Sequence, residues 1–121
     1  MAGLQEVFAE IELLQAMYVA FNRRDVETVL AAMDADVDWP NAMDGGRESG
    51  KAAVREYWRR QFEILDPRVE PRGFTTEKDG RIAVAVHQVV HDKTGKLLVD
   101  QMINHVYEFR GGLICSMEIR S

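Results

Sequence analysis

The 121-residue sequence has one cysteine, no long apolar run and no basic stripe, and each shortage excludes a class of protein. The single Cys115 excludes an internal disulfide and any multi-cysteine metal site, and its setting in "LICSM" is typical of a small buried hydrophobe. The longest apolar segments, "RIAVAVHQVV" and "LLQAMYVAF", are too short and too polar to span a bilayer. We therefore expect no association with membranes.

Charge and glycine patterns exclude two kinds of partner. The chain carries 15 Lys and Arg against 20 Asp and Glu, a net charge of −5, so nucleic acid is not an expected partner. It has no GxGxxG or P-loop pattern, so we expect no nucleotide cofactor, and no other cofactor is indicated. The acidic start "MAGLQEVFAE" lacks the charged-then-apolar order of a signal peptide, which favours a cytoplasmic protein.

The first half of the chain has the apolar spacing of helices. Apolar residues recur at three- and four-residue steps over residues 4–21, which predicts a long amphipathic helix. Asp25 is placed to cap a second helix. A short strand, Val37–Trp39, and a loop with Pro and two Gly then precede a third helix that starts near Gly50.

The second half has the character of strands. They are predicted over residues 68–78, in "RIAVAVHQVVH", over 97–109 and over 113–120, with turns at "KDGR", "DKTGK" and "RGG". Pro71 cannot donate to a ladder, so its strand is expected at an edge or at a bulge. The order ααβαββββ predicts one α+β domain over residues 1–121, with three N-terminal helices packed on a strongly curved antiparallel sheet.

The strand "IAVAVHQVV" predicts a second copy of the chain. Both of its alternating sets are apolar, whereas a strand with one face in water alternates apolar with polar residues. The three helices can cover one face of the sheet. We therefore predict a homodimer that forms through the sheet.

Three motifs in this order resemble the NTF2-like superfamily, and within it the bacterial SnoaL-like and ketosteroid-isomerase-like proteins. The motifs are "YVAFNRRDVETVLAAMDADVDW", "GKAAVREYW" and "NHVYEFRGGLICSMEI", and with the strands between them they cover nearly the whole chain. The resemblance implies a cystatin-like cone, in which a curled sheet wraps around helices and a pocket opens at the wide end. It also implies dimers that pack sheet against sheet.

The resemblance argues against a true ketosteroid isomerase. That chemistry needs a carboxylate base, a Tyr and a protonated Asp. The resemblance places Met17 at the Tyr position, with Tyr18 beside it, and Trp39 at the position of the base. The neighbouring Asp38 is expected to face the opposite side of its strand. His105 takes the position of the oxyanion-stabilising Asp, so two of the three roles are unfilled.

His105 is the candidate catalytic residue. Alternation along its strand puts Gln101, His105 and Tyr107 on one face, and the resemblance makes this face the pocket side. Two interpretations stay open: a hydrogen-bonded core histidine, or a proton handler whose imidazole titrates near neutral pH.

The candidate ligand-binding residues are aromatic, amide and imidazole side chains near the expected pocket: Tyr18, Trp39, Asn41, Trp58, His87, Gln101 and Tyr107. The aromatic ones could equally fill an ordinary core. A four-residue turn at "DKTG" would put His87 opposite Gln101 on the pocket face, and a two-residue turn would put Gln88 there. We favour His87.

No metal site is predicted. His87 and His91 would lie about 13 Å apart along a strand, which is too far for one ion. The predicted function is the binding of a small, mostly apolar ligand in an aromatic pocket, with cofactor-free acid–base catalysis through His105. The alternative is a non-catalytic binding or protein-interaction module on the same fold.

Overall fold

The computed structural model describes residues 3–121, in which three helices and six strands follow one another in the order ααββαββββ. The helices are α1 (Leu4–Asn22), α2 (Val26–Ala31) and α3 (Lys51–Ile64). The strands are β1 (Met33–Pro40), β2 (Arg47–Ser49), β3 (Leu65–Thr76), β4 (Ile82–Asp92), β5 (Leu97–Arg110) and β6 (Leu113–Arg120). Met1 and Ala2, which the predicted domain includes, lie outside the described residues.

The strands form one sheet in the order β2-β1-β6-β5-β4-β3. Strands β3 to β6 make the predicted antiparallel meander. The sheet is mixed rather than wholly antiparallel, because β1 pairs with β6 in parallel. No hairpin joins these two strands, so no turn sets their relative direction. Strand β2 was not predicted, because three residues are too few to show an alternation.

The helices lie against one face of this sheet, which confirms the predicted α+β fold. Helix α1 contacts β3, and α3 contacts β1 and β3. The Asp25 side chain accepts a hydrogen bond from the Thr28 amide at 3.3 Å, so it caps α2 as predicted. The core between the layers includes fully buried Leu14, Val54 and Val84.

Bulges bend the strands and set which residues face the helices. Strand β3 is at the sheet edge and its register shifts after Pro71, in keeping with the missing amide of that residue. At the β4–β5 turn, the Asp92 amide donates to the Lys96 carbonyl at 2.9 Å, which is the predicted four-residue turn. A register shift between Val90 and His91 then moves the pairing by one residue.

The other face of the sheet carries small and apolar side chains together with charged ones. Ala83, Ala85 and Met102 lie on this face, where Met102 is 55% exposed. Helices α1 and α3 pack on the opposite side, so no helix of residues 3–121 covers it. Within the same residues, no helix combines the length and the apolar character needed to cross a membrane.

Candidate functional site

A pocket opens between the helices and the inner face of the sheet. Its aromatic wall consists of Tyr18, Phe21, Trp39, Tyr57, Trp58 and Tyr107, and His105 lies among them. The cavity volume is about 80 Å³, roughly half of the 150 Å³ cavity that holds one benzene. Even a ligand with a single ring therefore requires the wall to move.

A second, larger cleft lies at the other end of α1 and has a different character. Its volume is about 960 Å³, and the start of α1 and the hairpin turns line it. Carboxylates of Glu6, Glu10, Asp79 and Glu108 surround it, with one cation, Arg81. His105 and most of the aromatic residues lie in the smaller pocket, which is therefore the candidate site.

Three buried side chains form a hydrogen-bonded trio in this pocket. The Tyr18 hydroxyl lies 2.8 Å from His105 Nδ1 and 2.7 Å from the Tyr107 hydroxyl. The exposed fractions are 2% for Tyr18, 7% for His105 and 0% for Tyr107. Tyr18 extends from α1 and the other two from β5, so the trio joins the helix layer to the sheet.

Burial fixes the direction of the protons in the trio. Tyr107 has no partner among residues 3–121 other than Tyr18, so its hydroxyl hydrogen must go to Tyr18. Tyr18 then donates to His105 Nδ1, and the imidazole hydrogen is on Nε2. The reverse direction would leave the Tyr107 hydrogen buried without an acceptor, at a cost of about 1–3 kcal/mol.

The Nε2–H group of His105 is open to the pocket. Within the described part of the chain Nε2 has no protein partner. Since no buried side-chain nitrogen or oxygen of these residues lacks a partner, Nε2 must be accessible from the pocket. Burial lowers the pKa of His105 from 6.5 to about 4, so the ring is neutral at pH 7. Burial likewise raises the pKa of Tyr18 well above 10. The trio therefore offers a neutral N–H donor and only a weak base.

Two tryptophans form the wall beside the trio. The Trp39 and Trp58 rings meet edge to face at 5.5 Å between centroids, and Trp39 also lies 6.1 Å from Tyr107. This part of the wall is therefore aromatic and apolar.

Tyr57 is a pocket residue that the sequence analysis missed. It projects from α3, is 2% exposed, and accepts hydrogen bonds from the Ala42 amide at 3.1 Å and Gln61 Nε2 at 3.2 Å. Burial is the main cause that raises its pKa. The available signal was the polar Gln61 four residues after Tyr57, on the helix face that otherwise points to the core.

His87 does not line the pocket, so its prediction was wrong in placement. The bulge in the β4–β5 hairpin pairs Gln88 with Gln101 and His87 with Met102, and Gln88 faces the pocket instead. On the outer face, His87 Nε2 lies 2.7 Å from a carboxylate oxygen of Asp100. The predicted turn does form, but a turn alone does not fix the register once a bulge follows it.

Gln101 and Asn41 also lie outside the pocket wall. Gln101 is exposed and donates to the Gln88 side chain at 2.8 Å. Asn41 is buried, but its Oδ1 accepts from the amides of Met43 and Asp44 at 3.1 and 2.8 Å. Its side chain folds the β1–β2 loop, as Asn often does in turns. The structure therefore brings together five of the predicted residues: Tyr18, Trp39, Trp58, His105 and Tyr107.

The charged residues near the site are engaged elsewhere. Arg47 donates to an Asp38 carboxylate oxygen at 2.7 Å, and both lie on the outward side of β1 and β2, opposite Trp39. No Asp, Glu, Lys or Arg of residues 3–121 lines the pocket. In the same residues, no group of three or more His, Cys, Asp or Glu is arranged to hold a metal ion.

Comparison with known proteins gives one family. The profile of the SnoaL-like domain matches residues 14–117. No curated protein matches the sequence. Among solved structures, an NTF2-like protein from Burkholderia pseudomallei K96243 is 26% identical, with a TM-score of 0.81 over 93% of this chain and 89% of that one.

Two other similar structures bear on ligands. TerC, co-crystallised with polyporic acid, is 30% identical with a TM-score of 0.80, over 92% of this chain and 89% of TerC. A candidate polyketide cyclase from Xanthomonas campestris pv. campestris is 26% identical with a TM-score of 0.78, over 94% of this chain and 90% of that one.

Proposed function

This chain belongs to the SnoaL-like family, and we propose that its pocket binds a small, mostly apolar ligand whose oxygen atom accepts a hydrogen bond from His105. The observation that carries this proposal is the Nε2–H of a neutral, buried imidazole, held in place by Tyr18 and Tyr107. Because the fold hosts many activities, the proposal depends on this site and not on the family alone.

The ligand class follows from the composition of the wall. Aromatic side chains favour a flat ring system, and the Nε2–H group of His105 favours an oxygen acceptor on it. TerC was co-crystallised with polyporic acid, which makes this compound the first probe.

The proposed reaction class is cofactor-free isomerisation, cyclisation or dehydration with His105 as the electrophilic group. Its N–H would stabilise negative charge that develops on a ligand oxygen, an effect worth about 10²–10³ in rate for one donor. Since no carboxylate of residues 3–121 lines the pocket, the ligand must be acidic enough to transfer its proton to water.

A non-catalytic binding protein is the second candidate. The observation in its favour is the same lack of a carboxylate base in the pocket wall. Both functions require His105 for ligand contact. They differ in whether the ligand leaves the pocket chemically changed.

We also propose that the protein forms a homodimer through the outer face of the sheet, as a single domain over residues 1–121 that acts in the cytoplasm. The small side chains of Ala83 and Ala85 and the exposed Met102 support close packing of a second copy there. Native mass spectrometry should give twice the 13.8 kDa chain mass. A chain mass alone at micromolar concentration would contradict the dimer.

The first test of the pocket is a titration with polyporic acid, in which binding is measured by the quenching of Trp39 and Trp58 fluorescence. We expect His105→Ala to weaken binding at least about tenfold, since a hydrogen bond to the ligand is lost, while the fold stays intact. His87→Ala is the matched control on the outer face and should bind like the native protein. Equal affinity of His105→Ala and the native protein would refute the assignment.

Turnover separates the two candidates. The ligands that bind are incubated with the native protein and with His105→Ala, and the products are analysed by mass spectrometry and chromatography. A product formed by the native protein and not by the variant supports catalysis. Unchanged ligand in both samples supports the binding protein.

A further inference from the structure

We propose that Tyr57 is a second hydrogen-bond donor of the pocket, so that the site selects ligands with two separate oxygen acceptors, one for His105 and one for Tyr57. This inference rests on the proposed function, because it adds a contact to the same pocket. The ligand class becomes an aromatic compound with a carbonyl or hydroxyl oxygen at each of two positions.

The first step is the bonding of the Tyr57 oxygen. Its hydroxyl accepts from the Ala42 amide at 3.1 Å and from Gln61 Nε2 at 3.2 Å. These two bonds occupy the lone pairs of the phenol oxygen, so that only its hydrogen is left to bond. The hydroxyl can therefore act towards a ligand as a donor and not as an acceptor.

The second step is the lack of a protein acceptor for that hydrogen. The nearby carboxylates of Asp44 and Glu48 influence the electrostatics of Tyr57, but neither makes a hydrogen bond with it among residues 3–121. Tyr57 is 2% exposed and lines the pocket, where a hydrogen without an acceptor is unfavourable. A ligand oxygen would satisfy it.

The other pocket tyrosines lack this property. Tyr107 donates to Tyr18, and Tyr18 donates to His105, so both hydroxyl hydrogens are used inside the protein. Among the tyrosines that line the pocket, Tyr57 alone in residues 3–121 has a hydrogen without a partner.

The positions of the two donors define the ligand. His105 is on β5 in the sheet layer, and Tyr57 is on α3 in the helix layer, so the two donors approach the pocket from different walls. Two donors on different walls can each bond to an oxygen of their own. A ring system with oxygens at two positions can bond to both donors at once.

Burial keeps Tyr57 able to donate. It raises the pKa of the phenol, although the amides of Ala42 and Met43 oppose this, so the hydroxyl stays protonated at neutral pH. Neutral donors at both ends suit an oxygen that is partly or fully anionic. No cation of residues 3–121 lines the wall to bind it instead.

The test compares two ligands of the same shape with the variant Tyr57→Phe, which removes only the hydroxyl. The ligands are an acetylnaphthol, with two oxygens, and the ethylnaphthol with the same substitution pattern, with one. For the acetylnaphthol we expect Tyr57→Phe to lower the affinity about fivefold, the usual effect of one lost hydrogen bond between neutral groups. For the ethylnaphthol we expect a change of less than about twofold, because its one oxygen can still use His105.

The ligand pair also controls for damage to the pocket. A general distortion in Tyr57→Phe would weaken both ligands to the same extent, and that result would overturn the role of Tyr57. An unchanged affinity for the acetylnaphthol would overturn it too. In both cases a loss of binding in His105→Ala would leave the proposed function standing. If the native protein bound neither naphthol nor polyporic acid, both proposals would be overturned.

Discussion

His105 and His87 lie on neighbouring strands of one sheet, but on opposite faces. His105 is 7% exposed and bonded to a tyrosine, whereas His87 is partly exposed and lies 2.7 Å from the carboxylate of Asp100. The buried ring is neutral, with its pKa lowered to about 4 by burial, and presents an N–H to a pocket. The same residue type thus has a different chemistry on each face, and a single bulge decides which face a residue occupies.

The inner and outer faces of the sheet should differ most in the stability lost when a side chain is truncated to alanine. Ile82→Ala removes a fully buried side chain from the inner face and should lower the free energy of unfolding by about 2–5 kcal/mol. Met102→Ala, on the outer face and 55% exposed in a single chain, should cost less than about 1 kcal/mol at protein concentrations below those at which the proposed dimer forms. Urea denaturation of both variants at that concentration measures the difference. Equal losses there would contradict the contrast between the two faces.

The proton direction in the trio predicts an asymmetry between its tyrosines. Tyr18→Phe leaves the buried Tyr107 hydrogen without an acceptor and should cost about 1–3 kcal/mol of stability. Tyr107→Phe leaves Tyr18 free to donate to His105, so we expect a smaller loss. Thermal and urea unfolding compare the two. A larger loss for Tyr107→Phe would indicate the reverse direction.

The lowered pKa of His105 predicts a pH dependence of stability. The unfolded ring takes up a proton below its ordinary pKa of 6.5, and the folded ring only near 4, so the unfolded state binds more protons in this window. Stability should therefore fall as the pH is lowered from 7 to 5, by up to about 2 kcal/mol from this group. His105→Gln should lack that part of the slope. Parallel slopes in the two proteins would contradict the lowered pKa.

The smallest effect is expected on the outer face. His87→Gln breaks an exposed contact with Asp100, and such contacts contribute about 0–1 kcal/mol. Urea denaturation should show a change within that range, and the affinity for polyporic acid should not change. A clear loss of ligand affinity would link the outer face to the pocket.

The sequence predicted more of the fold than of the site. Helical spacing put Tyr18 on the apolar face of its helix, and alternation put His105 and Tyr107 on one face of their strand. The family resemblance made that face the pocket side and placed Trp39 beside it, and the structure brings all four together. Alternation works here because successive side chains of a strand point to opposite faces, and the helices of the chain cover one of them. The parallel pairing of β1 with β6 could not be predicted, because no local sequence pattern relates two strands that are far apart in the chain.

The errors have causes that lie outside any short sequence pattern. The bulge that turned His87 outward depends on how two strands twist against each other, which no short pattern records. Asn41 was placed in the pocket by its neighbour Trp39, although its amide closes the loop. Tyr57 was missed because its hydroxyl oxygen accepts a hydrogen bond from Ala42 of that loop, and the sequence does not show that the loop folds back onto α3.

The central claim is that His105 is a neutral Nε2–H donor to the ligand, and ¹⁵N-resolved NMR of the histidine side chains tests it directly. At pH 7 we predict a protonated Nε2 and an unprotonated Nδ1 that accepts from Tyr18, with the Nε2–H resonance moving when polyporic acid is added. His87 and His91 serve as internal references in the same spectrum. A proton on Nδ1, a doubly protonated ring at pH 7, or an Nε2–H resonance that saturating ligand leaves in place would contradict the claim.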